Sequence, residues 1–522
     1  MRHRCRQIAL RLWFVAVLAL ALTFGAAPAR AGEPQGQLTW GVHVTLAPTW
    51  FDPAETPGLI TPYMVLYALH DAMAKPMPGQ PLAPSLAESW SASEDALSYE
   101  FVLRQGVKFH NGDPVTAEDV KFSFERYRGA SAKMLHDRVA AVETPDARHI
   151  RFKLKQPWPD FLTFYVTSTG AGWIVPKKYV EQVGEDSFKR APVGAGPYKF
   201  VSFTPGQELV LEAFGQYWRK TPNVRRLVLR SIPDESTRLA ALKRGEVDIV
   251  YSIRAELAEE LQRTKGLTLK PAVNIGMYWL YFPDQWDAKS PWHDPRVRRA
   301  ATLAIDYPAI NQAITLGHSR VTGSIIPDTF EFYWKPPTPA YDPAKARALL
   351  AQAGFPNGID VTIYFGNGTM VNDKALMEAI GDMWSKVGIR AKLEMMEMGA
   401  RQRMNNERAV PPSGLFLGNP QSTLLDADGS LWRIFHPTGF NGKYWVGSQP
   451  GHRFYELMEQ ARYTLDPKKR KAFYAEATAI FHEEKPSVEL FQEVVVYGTS
   501  RRVSFKPRAD FRLIVSEMTL AR

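Results

Sequence analysis

Leu103 to Tyr127, LRQGVKFHNGDPVTAEDVKFSFERY, holds the end of one strand, a tight turn and the start of a helix within 25 residues. Upstream, Tyr99, Phe101 and Leu103 alternate with polar neighbours, so SYEFVLRQGVKF is predicted as a half-buried strand broken once at Gly106. Asn111-Gly112 supplies the turn. Thr116 and Asp119 form the T-x-x-D start of a helix, and Val120, Phe124 and Tyr127 follow at helical spacing toward a core.

Outward from this stretch, strand and helix periodicities take turns, the pattern of an α/β protein. QLTWGVHV reads as a strand and ITPYMVLYALHDAM as a helix. GPYKFVSF and ELVLEAF read as a hairpin about TPGQ. RRLVLRSI, ESTRLAALKRG and VDIVYSI form a strand-helix-strand unit, with Gly245 as the helix stop. IDVTIYF, DKALMEAIGDMWSKVG and IRAKLEMME form another. Asp294-Pro295, Asp342-Pro343 and Asp466-Pro467 each open a helix, Asp capping free amides and Pro taking the first helical position. FYWKPPTPAYDP reads as a surface crossing.

A chain of 522 residues exceeds one core, so two or three lobes are expected. With 45% hydrophobic and 23% charged residues, the composition is that of an ordinary globular protein. The N-terminus carries Arg2, Arg4, Arg6 and Arg11, then an apolar run from Leu12 to Phe24, then small residues. That is the pattern of an export signal, and Ala29 and Ala31 place cleavage after Ala31. The apolar run is too short to span a bilayer. Removing residues 1–31 takes the formal charge from +10 to +5, which gives nucleic-acid binding little support. The only cysteine, Cys5, lies in the signal. The exported form is therefore expected to have no disulfide, thiol nucleophile or lipid-bearing cysteine, and to work in a periplasm without a lipid anchor.

The motifs of catalysis are missing. His482-Glu483-Glu484 has no second His four residues on, and G-x-S-x-G does not occur. In VGAGPYKF, Gly194 and Gly196 mimic a dinucleotide loop, but Lys199 takes the third glycine position and a strand follows. No His pair has metal-ligand spacing, and the 11 histidines read as surface or core residues. Neither catalytic residues, a metal site nor a cofactor is expected. In LLDADGSLW, Asp426 and Asp428 read either as a helix entry or as ligand-facing carboxylates. Trp50, Trp173, Tyr278, Trp279, Tyr281 and Trp445 sit where rings either fill a core or line a cleft.

LAPSLAESWSASEDALSYEFVLRQGVKFHNGDPVTAEDVKFSFERY resembles the signature of the family 5 extracytoplasmic solute-binding proteins of ABC importers, the oligopeptide, dipeptide and nickel-binding group. The similarity continues in VGAGPYKFVSFTPGQELVLEAFGQYW, IPDESTRLAALKRGEVDIV, DPRVRRAATLAIDYPAI and YDPAKARALLAQAGFPNG. The resemblance covers essentially the whole mature chain. It implies a two-lobed periplasmic-binding-protein fold of type II, the large class with an extra domain, with the ligand cleft between the lobes. By that similarity, residues 1–31 are the signal peptide. Residues 32–66, 190–274 and 490–522 form the first lobe, 67–189 the extra domain and 275–489 the second lobe. The opening stretch then belongs to the extra domain and is a fold marker, its polar residues spent on caps and turns. A monomer would take up a small molecule, close about the crossing strands and hand its load to an inner-membrane permease.

In peptide-binding members a loop resembling G-W-x-A-D-Y-x-D-P supplies an Asp that pairs with the peptide's terminal ammonium. The matching stretch here is SGLFLGNPQSTLLDADGSLW, where that Asp falls on Gly418 or near Ser422 or Thr423 and is missing. A shifted Asp426 or Asp428 is one replacement. By position in the loop, Gly418, Asn419, Gln421, Ser422 and Thr423 are candidate contacts. Trp50, Tyr281 and Phe491-Gln492 are candidates on the other walls, and Arg401 and Arg403 either meet a ligand carboxylate or form a solvated helix face. Three functions follow: a receptor for short or modified peptides or amino-acid-derived compounds, the same receptor for a sugar, opine or metal chelate, or a secreted hydrolase.

Overall fold

The structure, a computed structural model, describes residues 33–56, 60–77, 80–167, 169–366, 372–419, 426–437, 445, 449–510 and 514–521. The opening stretch builds one side of a four-stranded sheet in which Ser98–Leu103 lies between Ala87–Ala92 and His149–Leu154, and Val139–Glu143 pairs with the latter. The strand ends at Leu103, earlier than its alternation predicts, because the chain turns over Gln105–Gly106. The helix Ala117–Glu125 then starts on the expected device: the Asp119 carboxylate accepts from the Thr116 N–H at 2.8 Å and from its hydroxyl at 2.7 Å. Val120, Phe124 and Tyr127 are buried, and Phe124 meets Phe152 edge-on at 5.2 Å. Contrary to expectation, not all polar groups of this stretch stay local: Arg126 makes a two-pronged pair with Asp52 at 2.7 Å, and Asp119 also accepts from the Lys177 N–H at 2.8 Å.

The rest is organised by one ten-stranded sheet. Its strands in chain order are β1 (Gln35–Val42), β2 (Tyr198–Thr204), β3 (Glu208–Ala213), β4 (Val224–Ser231) and β5 (Ile249–Tyr251). They continue as β6 (Leu267–Tyr281), β7 (Ile359–Phe365), β8 (Ile389–Met395), β9 (Gly414–Gly418) and β10 (Ser487–Ser500). The spatial order is β2-β3-β4-β1-β5-β10-β6-β9-β7-β8. The hairpin β2–β3 and the parallel pair β7–β8 follow the sequence pattern. The unit β4–helix–β5 holds a surprise, since β1 inserts between its two strands and pairs in parallel with both. Among the described strands only β6 and β10 run through both halves of the sheet, and this gives the molecule two lobes.

The helix Ile60–Leu69 stops before its predicted end at Met73. Asp71 is needed elsewhere: its buried carboxylate pairs with buried Lys75 at 2.6 Å and accepts from buried Tyr217 and half-buried Trp218. Asp294, Asp342 and Asp466 cap their helices, each accepting a backbone N–H at 2.8 Å. Gly194 and Gly196 serve packing rather than a nucleotide, since a Cβ on either would stand 2.0 or 2.5 Å from the carbonyl of Leu69 or Ala68.

Candidate functional site

In open α/β sheets, ligands gather beyond the carboxyl ends of the strands. At those ends in the first lobe, Arg238 holds two loops together, donating to the carbonyls of Ile232 at 2.8 Å and Pro233 at 2.7 Å after β4, and of Ser252 at 2.9 Å after β5. His43, just past β1, packs edge-on against Tyr251 at 4.5 Å. Burial, helped by the Arg238 charge, lowers the His43 pKa to about 4, so the imidazole is neutral at pH 7.

Where β6 and β10 cross between the lobes, their ladder breaks. Val273 pairs with Val494 and Met277 with Gln492, so Asn274, Ile275 and Gly276 bulge opposite Glu493 alone. The side chains stitch the gap: Asn274 Nδ2 donates to Glu493 Oε2 at 2.7 Å, and Asn274 Oδ1 accepts from the Gly276 N–H at 2.5 Å. Gly276 sits in a crowded spot. A Cβ there would lie 2.5 Å from Asn419 Oδ1, 2.8 Å from Glu493 Oε2 and 3.0 Å from Asn274 Oδ1. Three oxygens from three strands or their ends therefore converge on one point, and among the described residues Asn419 Oδ1 and Gln492 Oε1 have no hydrogen-bond partner. Beside the bulge a cavity of about 530 Å³ opens between Ile275 and Thr329 on one side and the C-terminal residues Phe505, Lys506, Arg508 and Glu517 on the other. That size holds a small organic molecule.

The structure brings Gly418, Asn419 and Gln492 to this crossing. Gly418 pairs with Trp279 at the end of β9, and Gln492 is 1% exposed with Nε2 3.5 Å from the Asn274 carbonyl. Phe491 turns instead into the second lobe's core against Tyr278 at 5.1 Å, and Tyr281 stacks between Trp279 and Phe416. Trp50 is half-buried in the turn Pro48–Phe51, packed on the large core. Arg401 donates to the Leu417 carbonyl at 2.8 Å, while Arg403 is exposed. Gln421, Ser422, Thr423 and Ala31 lie outside the described residues.

Asp426 caps the helix Ala427–Phe435, accepting from the Gly429 N–H at 2.8 Å. Asp428 is wholly buried and accepts from Arg462 Nη2 at 2.5 Å and Tyr474 at 3.1 Å. Next to them Arg470 grips Asp160, from the segment after the four-stranded sheet, at 2.6 and 2.7 Å. Burial, with Asp160 and Asp428 close by, pushes the Asp426 pKa well above the carboxylate range, and burial with Asp428 raises Asp160 to about 6. Sequence reasoning missed Asn274, Gly276, Glu493, His43 and Tyr251. One signal was available: a glycine inside a strand, at Gly276, marks a bulge or a close approach.

Among the described residues no group of three His, Cys, Asp or Glu side chains is placed to hold a metal ion, and no helix is long and apolar enough to cross a membrane. The model for bacterial extracellular solute-binding proteins, family 5 middle, matches residues 81–442. The chain is 27% identical over 434 residues to the glutathione-binding protein GsiB of Escherichia coli strain K12, covering 80% of this chain and 82% of that protein. Its fold is similar to that of HbpA2 from Haemophilus parasuis, with TM-score 0.81 and 25% identity over 93% of this chain and 100% of that one. It is also similar to the ABC transporter-associated periplasmic binding protein DppA of Helicobacter pylori in complex with the peptide STSA, with TM-score 0.73 and 25% identity over 93% and 98% of the two chains. Two lobes joined by two crossing strands, a cavity at the crossing and a match over most of the length agree: the chain belongs to the family 5 bacterial extracellular solute-binding proteins.

Proposed function

We propose that the protein is the periplasmic receptor of an ABC importer, which captures a short or modified peptide, or a related amino-acid-derived compound, between its lobes and delivers it unchanged to an inner-membrane permease. The observation that carries the solute class is the cavity of about 530 Å³ at the crossing, lined by Lys506, Arg508, Asp510 and Glu517 among apolar residues, a size and polarity suited to a few amino-acid units. The peptide in the Helicobacter pylori relative and the glutathione in the name of the Escherichia coli one support it. In this reading residues 32–66, 190–274 and 490–522 form the lobe that closes on residues 275–489, residues 67–189 ride with the first lobe, and Gly418, Asn419, Gln492 and the loop residues Gln421, Ser422 and Thr423 face the solute. The protein acts as a monomer, without catalysis, and is exported by cleavage after Ala31 without a lipid anchor. The bulge at Asn274–Gly276 is the hinge.

A thermal-shift screen over peptides, opines, sugars and metal chelates tests this. A solute at about 100 times its Kd stabilises the folded state by roughly 2.7 kcal/mol, so peptides or amino-acid derivatives should stand out as one class. A response confined to sugars or chelates would reassign the solute, and a flat response across all classes would overturn the receptor reading.

A further inference from the structure

We propose that the extra domain, residues 67–189, is the latch of the receptor: its Asp160 grips Arg470 of the second lobe, and this bond holds the lobes shut about the solute. The inference deepens the receptor reading and rests on the extra domain riding with the first lobe. That attachment has bonds of its own. Arg126 pairs with Asp52 through two bonds at 2.7 Å, Asp71 accepts from Tyr217 at 3.0 Å and Trp218 at 2.8 Å, and His110 Nε2 lies 3.0 Å from the Gly196 carbonyl oxygen. Toward the second lobe the same domain makes a different seam. Arg470 Nη2 donates to both oxygens of Asp160 at 2.6 and 2.7 Å, and the two side chains are buried. At the edge of the seam Arg138 donates to the Tyr463 hydroxyl at 3.0 Å and lies 4.8 Å from the ring centre of Trp158. Arg462 lies 5.8 Å from that of Phe164.

Arg470 belongs to the second lobe by its own contacts. It sits on the helix Pro467–Glu484, and its Nε donates to the Ala461 carbonyl at 3.0 Å. Phe481 of that helix meets Phe435 at 4.6 Å, and Phe435 meets Trp279 of β6 at 5.4 Å. Among the described strands only β6 and β10 join the lobes, so a pivot at their bulge carries Arg470 away from whatever is fastened to the first lobe. Asp160 and Arg470 must then part. An ion pair suits a joint that opens and shuts. The attraction of two buried charges is largely offset by the water they give up, so they separate at small net cost when both return to water. With the seam shut and one partner removed, the other is left buried and unpaired, which is strongly unfavourable. The pair therefore permits opening and specifies a single closed arrangement. Because the closed form holds the solute, apparent affinity falls with the fraction of molecules that are closed.

Spin labels on two engineered cysteines read the opening, since Cys5 in the export signal is the only native cysteine. Lys133→Cys with Lys469→Cys, both exposed, spans the seam, and Lys133→Cys with Lys220→Cys spans the extra domain and the first lobe. Distances are measured by pulsed electron spin resonance with a yeast-extract filtrate present, and native mass spectrometry reads the small mass retained. Asp160→Asn should lengthen the distance across the seam and leave the other unchanged. It should also retain at least about tenfold less of the mass that the wild type captures, the effect of one charge-assisted bond on the closed fraction. A residue that only stabilised its own domain would lower the unfolding midpoint without moving that distance. Should Asp160→Asn fail to fold, Arg138→Ala at the edge of the seam should shift the distance in the same direction. An unchanged seam distance, or full retention, in the variants that fold overturns the latch and leaves the receptor standing. A shift between the extra domain and the first lobe overturns their common motion and the latch with it. A wild type that captures no mass overturns the receptor reading, and with it a latch that acts on a solute.

Discussion

Two buried polar regions of this molecule look alike in composition and differ in how their hydrogen bonds close. In the network of Asp160, Asp428, Arg462, Arg470 and Tyr474, each carboxylate has a guanidinium within 2.5 to 2.6 Å, and the phenol fills a further site on Asp428. At the crossing, Asn274 and Glu493 bond to each other, but the oxygens Asn419 Oδ1 and Gln492 Oε1 remain unmatched among the described residues. A closed network holds structure, because every charge taken from water is repaid by a partner. An open one beside a cavity has capacity left for a solute. The difference teaches that burial and charge alone do not mark a binding site; unmet hydrogen bonds count only beside a cavity, since buried Trp158, Tyr165 and Tyr307 also carry polar atoms without a partner among the described residues.

The comparison can be broken most forcefully in the closed network. Arg462→Met leaves Asp428 buried without its cation, so the variant should lose about 3–5 kcal/mol of stability in urea unfolding. A loss under about 1 kcal/mol would mean the network contributes little to structure.

Acid sharpens the contrast by sign. His70 is fully buried with its Nε2 2.8 Å from the Phe51 carbonyl, and burial lowers its pKa from 6.5 to about 4. Between those values the unfolded chain binds a proton that the folded one refuses, so stability falls as pH drops through 6.5 toward 4, by about 3 kcal/mol for this group. Asp160 works the other way. Its pKa is raised from 3.8 to about 6, so the folded state takes up the proton first, and its part in stability grows on acidification and is lost as pH rises through 6. Urea midpoints measured from pH 7 to 4.5 should therefore fall less steeply in His70→Gln than in the wild type; parallel curves would refute the histidine's share.

The open region should answer in binding rather than stability. Gly276→Ala places a methyl against the oxygens of Asn419, Glu493 and Asn274, all of them side-chain ends that can shift. Solute retention measured by native mass spectrometry should drop about tenfold, while the unfolding midpoint changes by about 1 kcal/mol or less in free energy. Smallest of all is Gln492→Leu. Removing a buried amide whose Oε1 is unmatched should leave stability within about 1 kcal/mol of the wild type in the absence of solute, and a larger loss would show that this amide is structural after all.

Much of the fold was legible in the chain because its determinants are local. The Thr116/Asp119 helix start, the three Asp-Pro caps, the hairpin β2–β3 and the parallel pair β7–β8 all follow from neighbours a few residues apart. Misreadings came where distant partners overrule local preference: the helix after Ile60 ends early because Asp71 is drawn into a pair with Lys75, Tyr217 and Trp218. The site was legible only in part. Asn419, a candidate from its place in a loop, is one of the residues the structure brings to the crossing, whereas the rest of that loop from 420 to 425 lies outside the described residues.

The sequence by itself determined the alternation of strands and helices, the resemblance that led to the family, and the lack of the usual catalytic and metal motifs, since each is written in short runs. Tertiary structure alone decided that Asn274, Asn419 and Glu493 meet, across separations of 145 and 219 residues from Asn274. It also decided that β1 divides β4 from β5, and that Asp428 is held by Arg462. The physical reason is common to all three: strand order and the partner of a buried charge are set by which long-range pairings bury the most apolar surface and leave the fewest polar groups unmatched, and no local run of residues encodes that sum.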